Sequence, residues 1–343
     1  MLAINSLIAE KKPCGLSRTP SKRPQQLQTA SAQISSSQVQ RAKCQAIFRD
    51  DDRLANPQPT ATAAPGAATA LYSAHVGAAL AIRAEGRDAA SIPTGSDNLI
   101  WQTAVSVAER RAAIMPPIEL EIQNDIPIGK GMGSSAAALT AGVVIADRLL
   151  GFGWKPLRIL DEAARLEGHP DNVAACTLGS IVASAIDGGG VARAVRMELP
   201  QRFGVGIVVP DFDLPTAKAR AVLPASYSRE DAVFNVQRAS LLIAALSAGA
   251  TWAFPAALED RFHQPYRIPL VPGLDEILKL RAPGLLGCAL SGAGPSILVF
   301  YERGCQDVCG LVQQIFRLHN HDSEILLTGI ADHGFELTEE TEA

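Results

Sequence analysis

Apolar residues recur at helical spacing from Asn98 to Ile114 (NLIWQTAVSVAERRAAI), and Ile118 to Gln123 (IELEIQ) then switches to alternation of apolar and polar positions. A helix followed by a half-buried strand is therefore predicted. Asn124 to Gly131 is a loop by its Asp-Ile-Pro-Ile-Gly composition, and a helix of small residues starts near Ser134. Trp154 to Leu166 reads as a further helix, broken by His169-Pro170, and Asp231 to Ala248 as a long one. Leu178 to Ser184, Phe203 to Pro210, Gly287 to Ala289 and Ile297 to Tyr301 are strand-like. Leu71 to Glu85 fits neither period cleanly and stays open between strand and helix. Strands and helices mix without strict βαβ alternation, so an α+β fold is expected over a doubly wound one.

The pattern begins only near Leu71. From Lys11 to Arg49 no acidic residue occurs among many Lys, Arg, Ser and Gln, and Asn56 to Ala68 is rich in Pro, Ala and Thr. Such a stretch lacks a periodic apolar face, so residues 1–70 are expected to be mostly disordered. An organellar transit peptide or a misassigned start would share this composition. The cytoplasm is the favoured location, with a plastid as the alternative if the segment is a transit peptide.

The chain has 343 residues, enough for two domains, and is 47% hydrophobic and 19% charged, enough for a sizeable core. Net charge is −4, and no basic patch follows Asp50, which argues against a nucleic-acid partner. No apolar run is long enough for a membrane helix. The six cysteines are scattered, and Cys305 with Cys309 lacks the histidine and second pair of a zinc site. Reduced thiols are the expectation.

Three polar constellations carry candidate chemistry. Pro127, Gly129, Lys130, Gly131, Met132, Gly133, Ser134, Ser135 and Ala136 form a glycine turn leading into a helix. Glycines admit close approach of backbone amides, and a helix start offers free N–H groups and a positive dipole end, so the motif suits phosphate. It is neither a Walker A loop nor a dinucleotide fingerprint. Close packing of a small-residue helix on a sheet is the plain structural alternative. Lys130 is either a phosphate contact or a solvated loop lysine. Glu167-Gly-His-Pro-Asp-Asn172 follows a helix, and Asp171 is either a helix cap or a carboxylate for magnesium. Leu290-Ser-Gly-Ala-Gly-Pro-Ser296 is a tight hairpin turn or, if it packs beside the first loop, a second wall of the site.

These three motifs, in this order from about Asn98 to Ile330, resemble the GHMP kinases. The resemblance implies a two-domain α+β GHMP kinase fold: a ribosomal-protein-like N-terminal domain over 71–195 and a ferredoxin-like C-terminal domain over 196–343, with ATP-Mg2+ on the first loop. Within that superfamily the EGHPDN form, Thr216 with Arg220 in PDFDLPTAKARAVLP, and Arg267 in Gln264-Pro-Tyr-Arg267 are similar to the homoserine kinases. That finer resemblance implies ATP-dependent phosphorylation of the L-homoserine hydroxyl in threonine biosynthesis, with room for a homodimer. By the same resemblance Asn98 contacts adenine, Ser134 and Asp161 (or Glu162) hold magnesium, and Asp171 orients the acceptor hydroxyl. Arg220 is expected to be catalytic with Asp171, and Asp171, Asn172, Thr216, Arg220, Arg267, Gly292 and Gly294 form the substrate site. Arginines grip a carboxylate through paired hydrogen bonds, although a surface salt bridge is the plain reading of each alone.

One family feature has no counterpart. Homoserine kinases open with a strand and loop of the type Pro-Ala-(Ser/Thr)-x-Ala-Asn-Leu-Gly-Pro-Gly-Phe-Asp. Thr60 to Leu71 (TATAAPGAATAL) keeps the small residues and loses the asparagine and aspartate. The first strands are thus expected to be altered or missing, leaving a sheet edge open. A catalytically impaired nucleotide-binding relative, or a kinase for another hydroxy acid such as mevalonate, are the alternatives.

Overall fold

The computed structural model describes residues 41–46, 70–198, 203–331 and 333–340. The elements in chain order are β1 (Arg41–Ala46), β2 (Ala70–Val76), β3 (Ala81–Gly86), α1 (Leu99–Arg110), β4 (Ile118–Asn124), α2 (Ser134–Leu150), α3 (Pro156–Glu167) and α4 (Asp171–Leu178). A hairpin of β5 (Ile181–Ile186) and β6 (Ala192–Met197) comes next, then β7 (Phe203–Pro210), α5 (Thr216–Ala221), α6 (Arg229–Ala248), α7 (Phe254–Ala257) and α8 (Gln264–Arg267). The chain continues with α9 (Leu274–Lys279), β8 (Leu285–Leu290), β9 (Ile297–Glu302), α10 (Cys309–Leu318), β10 (Ser323–Thr328) and β11 (Glu336–Glu340).

The first lobe is a sheet of order β11-β1-β2-β4-β3 with α1 to α4. In β4 the alternation of the sequence becomes alternation of burial: Ile118, Leu120 and Ile122 face the core. Leu71 to Glu85, open between two periods, is two strands split by a bend at Ala78 and Ala79, and β3 runs parallel to β4. α1 and α2 cross closely. A Cβ on Gly142 would lie 2.5 Å from Thr103 Cβ, so only glycine admits that approach. The strand expected at Leu178 begins instead at Ile181, because α4 runs to Leu178 and Gly179 turns the chain.

Two features depart from the sequence expectations. β1 lies within the first seventy residues, where disorder was expected, and it pairs antiparallel with both β2 and β11. RAKCQA does alternate polar and small apolar residues, but Ala and Cys are small and mark a strand faintly. The edge of β2 is therefore covered. The rest of 1–70, including most of Thr60 to Leu71, lies outside the described residues. Second, Glu336–Glu340, assigned by sequence to the C-terminal domain, returns to the first sheet as its edge strand. On its way the chain is tied to the α4–β5 junction, where Phe335 N–H donates to the Cys176 carbonyl at 2.9 Å.

The second lobe is an antiparallel sheet of order β10-β7-β9-β8. Numbered from its own first strand this is 4-1-3-2, with helical connections after the first and third strands, the ferredoxin-like plan. Along β9, Ile297, Val299 and Tyr301 pack on the side of α9 and α10, while Leu298 and Phe300 pack on the side of α7. No helix among the described residues is long and apolar enough to cross a membrane.

Candidate active site

The two glycine turns meet. Gly129, Gly131 and Gly133 all have positive φ (73°, 76° and 79°), and Gly133 caps α2 in the left-handed conformation. The first N–H groups of α2 thus open onto a cleft of about 1040 Å3 between the lobes. Ser291 Oγ donates to the Gly131 carbonyl at 2.9 Å, and Ser296 N–H reaches the Lys130 carbonyl at 3.4 Å. A Cβ on Gly131 would fall 2.1 Å from the Ser291 carbonyl oxygen, so the two backbones touch only because that residue is glycine.

From the first loop, Pro127, Gly129, Gly131, Met132 and Gly133 line the cleft, as do Ser134, Ser135 and Ala136 at the start of α2. Lys130 does not. Its Nζ donates to Asp213 Oδ1 at 2.7 Å and to the Phe212 carbonyl at 2.8 Å, because the loop's neighbour on that side is the segment after β7. Asn98 also reaches the cleft, but its side chain is largely committed to folding. Oδ1 caps α1 by accepting from Ile100 N–H at 2.9 Å, and Nδ2 donates to the Pro93 carbonyl at 2.7 Å.

At the head of α4 three groups are chained. Arg220 Nη2 lies 2.7 Å from His169 Nε2, and His169 Nδ1 lies 2.5 Å from Asp171 Oδ1. A guanidinium can only donate, so Nε2 accepts, and the imidazole proton is assigned to Nδ1, where it donates to Asp171. Asp171 Oδ1 also accepts from Asn172 N–H at 2.8 Å, which leaves Oδ2 for a ligand. Asn172 and Thr216 line the same wall.

Arg267 is 7% exposed and lines the cleft. Its Nε donates to the Ala219 carbonyl at 3.2 Å and its Nη1 to the Gly292 carbonyl at 3.1 Å. Among the described residues no carboxylate forms an ion pair with it. Burial lowers its pKa, Asp260 opposes that shift, and the charge of Arg220 adds to it, so two cations share this end of the cleft. Gly292 lines the cleft, whereas Gly294 turns toward Leu290 and Leu214 and does not.

The expected magnesium ligand is elsewhere. Asp161 pairs with Arg158 at 2.6 Å, accepts from Ala192 N–H at 3.1 Å, and lines a separate groove under β6. Glu162 is 2% exposed and held by Arg158 and Arg165. The α3 carboxylate that faces the start of α2 is Glu167, the last residue of α3, whose Oε2 lies 3.3 Å from Ser135 Oγ. Helical periodicity separates these faces, since five or six residues along a helix rotate the side chain well off the original face. No group of three or more His, Cys, Asp or Glu able to hold a metal exists among the described residues. Hard oxygens from Glu167 and a serine suit a cation such as magnesium, which takes few protein ligands and completes its shell with phosphate and water.

Asp260 is a wall residue that sequence reading passed over. It accepts from Asn235 Nδ2 and from the backbone N–H groups of Phe262, His263 and Gln264, at 2.6 to 2.9 Å. Burial acts to raise its pKa, but hydrogen bonds from His263, Asn235, Gln264 and Phe262 outweigh it and hold the carboxyl well below the usual range. Gln264 carries the same support onward, accepting from Leu290 N–H at 2.9 Å just before the second glycine turn.

The two α+β lobes with a glycine-rich loop at the cleft between them match the GHMP kinases. The family models for the GHMP kinases N terminal domain and the GHMP kinases C terminal match residues 98–180 and 242–304. A homoserine kinase of Solibacter usitatus is 76% identical over 261 residues, covering 76% of this chain and 86% of that protein. A homoserine kinase of Deinococcus radiodurans is 46% identical over 207 residues, 60% of this chain and 67% of that one. In fold, a crystal structure of homoserine kinase from Cytophaga hutchinsonii matches with a TM-score of 0.68 at 23% identity, covering 90% of this chain and all of that one. The chain belongs to the homoserine kinase family.

Proposed function

We propose that the chain phosphorylates the side-chain hydroxyl of L-homoserine with ATP, giving O-phospho-L-homoserine and ADP on the route to threonine. The observation that carries the substrate class is Arg267: a buried guanidinium satisfied only by carbonyls, beside a second arginine, in the cleft that also holds the phosphate loop. A buried cation with no carboxylate in hydrogen-bond reach, only the longer-range charge of Asp260, calls for an anionic ligand. The α-carboxylate of an amino acid meets that need, gripped by Arg267 and Arg220. Oδ2 of Asp171, with Oδ1 held by His169, orients the hydroxyl or takes the ammonium.

Phosphate is received by the amides of the first loop and the start of α2. Glu167 with Ser134 or Ser135 would hold Mg2+, which supplies charge neutralisation for the transferred phosphoryl group. Asp161 has no part in this. The hydroxyl oxygen gains a bond to the γ-phosphorus as the bridging oxygen of ATP leaves with ADP, and the hydroxyl proton passes to solvent. Positioning and charge compensation suffice for such a transfer. The cytoplasm is the location that fits bacterial relatives of this kind.

The test is ADP release from purified protein with ATP-Mg2+ and L-homoserine, with D-homoserine and mevalonate as controls. Turnover selective for L-homoserine supports the reading. Turnover with mevalonate alone, or with no acceptor, overturns it.

A further inference from the structure

Lys130 stands at the centre of the phosphate loop yet points away from the cleft. Its side chain is 12% exposed, and its ammonium sits on Asp213 Oδ1 at 2.7 Å and on the Phe212 carbonyl at 2.8 Å. A lysine in a loop ordinarily keeps its head in water. This one is drawn under the loop into the opposite lobe. Phe212 and Asp213 belong to the short link between β7 and α5, just before Thr216. That link leads directly into Thr216 and Arg220, so one lysine joins the phosphate-binding element to the acceptor-binding element.

The other contacts of the loop do not duplicate this connection. Ile128 N–H is tied to Asp88 Oδ2 at 2.9 Å within the first lobe, and Arg87 pairs with Glu324 of β10 farther along the lobe boundary. Ser291 Oγ holds the Gly131 carbonyl from the second glycine turn. Only Lys130 reaches the β7–α5 link among these.

The geometry points to Lys130 and Asp213 as a positioning pair that sets the distance between the transferred phosphate and the acceptor hydroxyl. This rests on the kinase reading above. Lys130 is then not a phosphate ligand, and Asp213, 72% exposed, holds the buried lysine from the protein surface. Phosphoryl transfer by positioning is sensitive to displacements of about 1 Å, which can cost on the order of a hundred-fold in rate.

The experiment is a double-mutant cycle of Lys130→Met and Asp213→Ala, with Lys130→Arg as the conservative variant. Steady-state kinetics and ATP affinity are measured alongside amide hydrogen exchange across 211–220. Lys130→Met is expected to lower kcat about ten- to a hundred-fold, to leave ATP affinity within about two-fold, and to speed exchange in 211–220. Asp213→Ala should do the same to a smaller degree, since the Phe212 carbonyl remains. The double variant should be no worse than Lys130→Met, and Lys130→Arg should recover most of the rate. Loss of ATP affinity in Lys130→Met with Asp213→Ala unaffected makes the lysine a phosphate ligand and overturns the proposal. Additive effects, or exchange unchanged in every variant, overturn it as well. If the wild-type protein turns over no L-homoserine, the substrate reading fails on its own, and the exchange cycle still decides the pair.

Discussion

Arg267 and the Gly292 carbonyl, 25 residues apart in sequence, are joined by a 3.1 Å hydrogen bond that fixes the Arg267 end of the cleft to the second glycine turn. The same turn holds the first loop through Ser291. The Arg267 end of the cleft and the first glycine loop are therefore tied to the same turn.

Arg267→Ala removes the guanidinium and leaves the Gly292 and Ala219 carbonyls without their donor. The carboxylate of bound substrate would also lose its charged partner, which costs about 2–5 kcal/mol of binding. The expected result is a large rise in KM for L-homoserine with KM for ATP little changed. Arg267→Lys should recover only part, because an ammonium lacks the fork that grips a carboxylate while serving two carbonyls. Steady-state kinetics with each substrate varied in turn checks this.

Gly131→Ala and Gly133→Ala separate two reasons for glycine. Both residues have positive φ, which costs an alanine about 1–2 kcal/mol. Only at Gly131 would the new methyl meet backbone, at 2.1 Å from Ser291 O, whereas nothing lies within 4 Å of a Cβ at Gly133. Gly131→Ala should therefore be clearly the less stable in urea unfolding and should lose turnover. Gly133→Ala should stay folded with a modest loss of stability.

Much of the scaffold was legible because its residues obey one period at a time. IELEIQ alternates and is β4, and FGVGIVVP is β7 residue for residue. The glycine loop was legible as a turn into a helix because its glycines directly precede the run of small helix-forming residues, and they do take positive φ before α2. Partners chosen across the lobes were not. Lys130 looks like a phosphate ligand until Asp213, eighty-three residues later, is seen to hold its ammonium. Asp161 and Glu167 are both acids on one helix, and only its orientation shows which faces the loop. β1 was missed because Ala and Cys make a weak apolar stripe, and its strand exists through pairing on both sides.

Asp260 supplies an acid-sensitive hold on the Arg267 segment. Its folded pKa lies below the ordinary aspartate value of 3.8, so the unfolded chain binds the proton more readily. The resulting stability is present in full above that value and is lost as pH falls from about 4 toward the folded pKa. Asp260→Asn should lower Tm at pH 7 and lower it less at pH 3. Thermal unfolding of both proteins from pH 7 down to pH 3 gives the comparison, and a gap that widens with acid contradicts the assignment.

Glu167 and Asp161 should part company under substitution. Glu167 faces Ser135 at the phosphate loop, and replacing it with glutamine removes charge where a divalent cation would sit. Glu167→Gln is expected to keep the fold and lose kcat by at least about a hundred-fold, with partial recovery as Mg2+ is raised or Mn2+ substituted. Asp161 instead joins α3 to β6 by accepting from the Ala192 amide, and pairs with Arg158 of its own helix. Its asparagine variant should lose about 1–2 kcal/mol of stability and leave the metal dependence of turnover unchanged. Kinetics against Mg2+ concentration, beside urea unfolding of each variant, decides between the two carboxylates. A shifted metal optimum in Asp161→Asn, with none in Glu167→Gln, would return the metal to the residue the sequence first suggested.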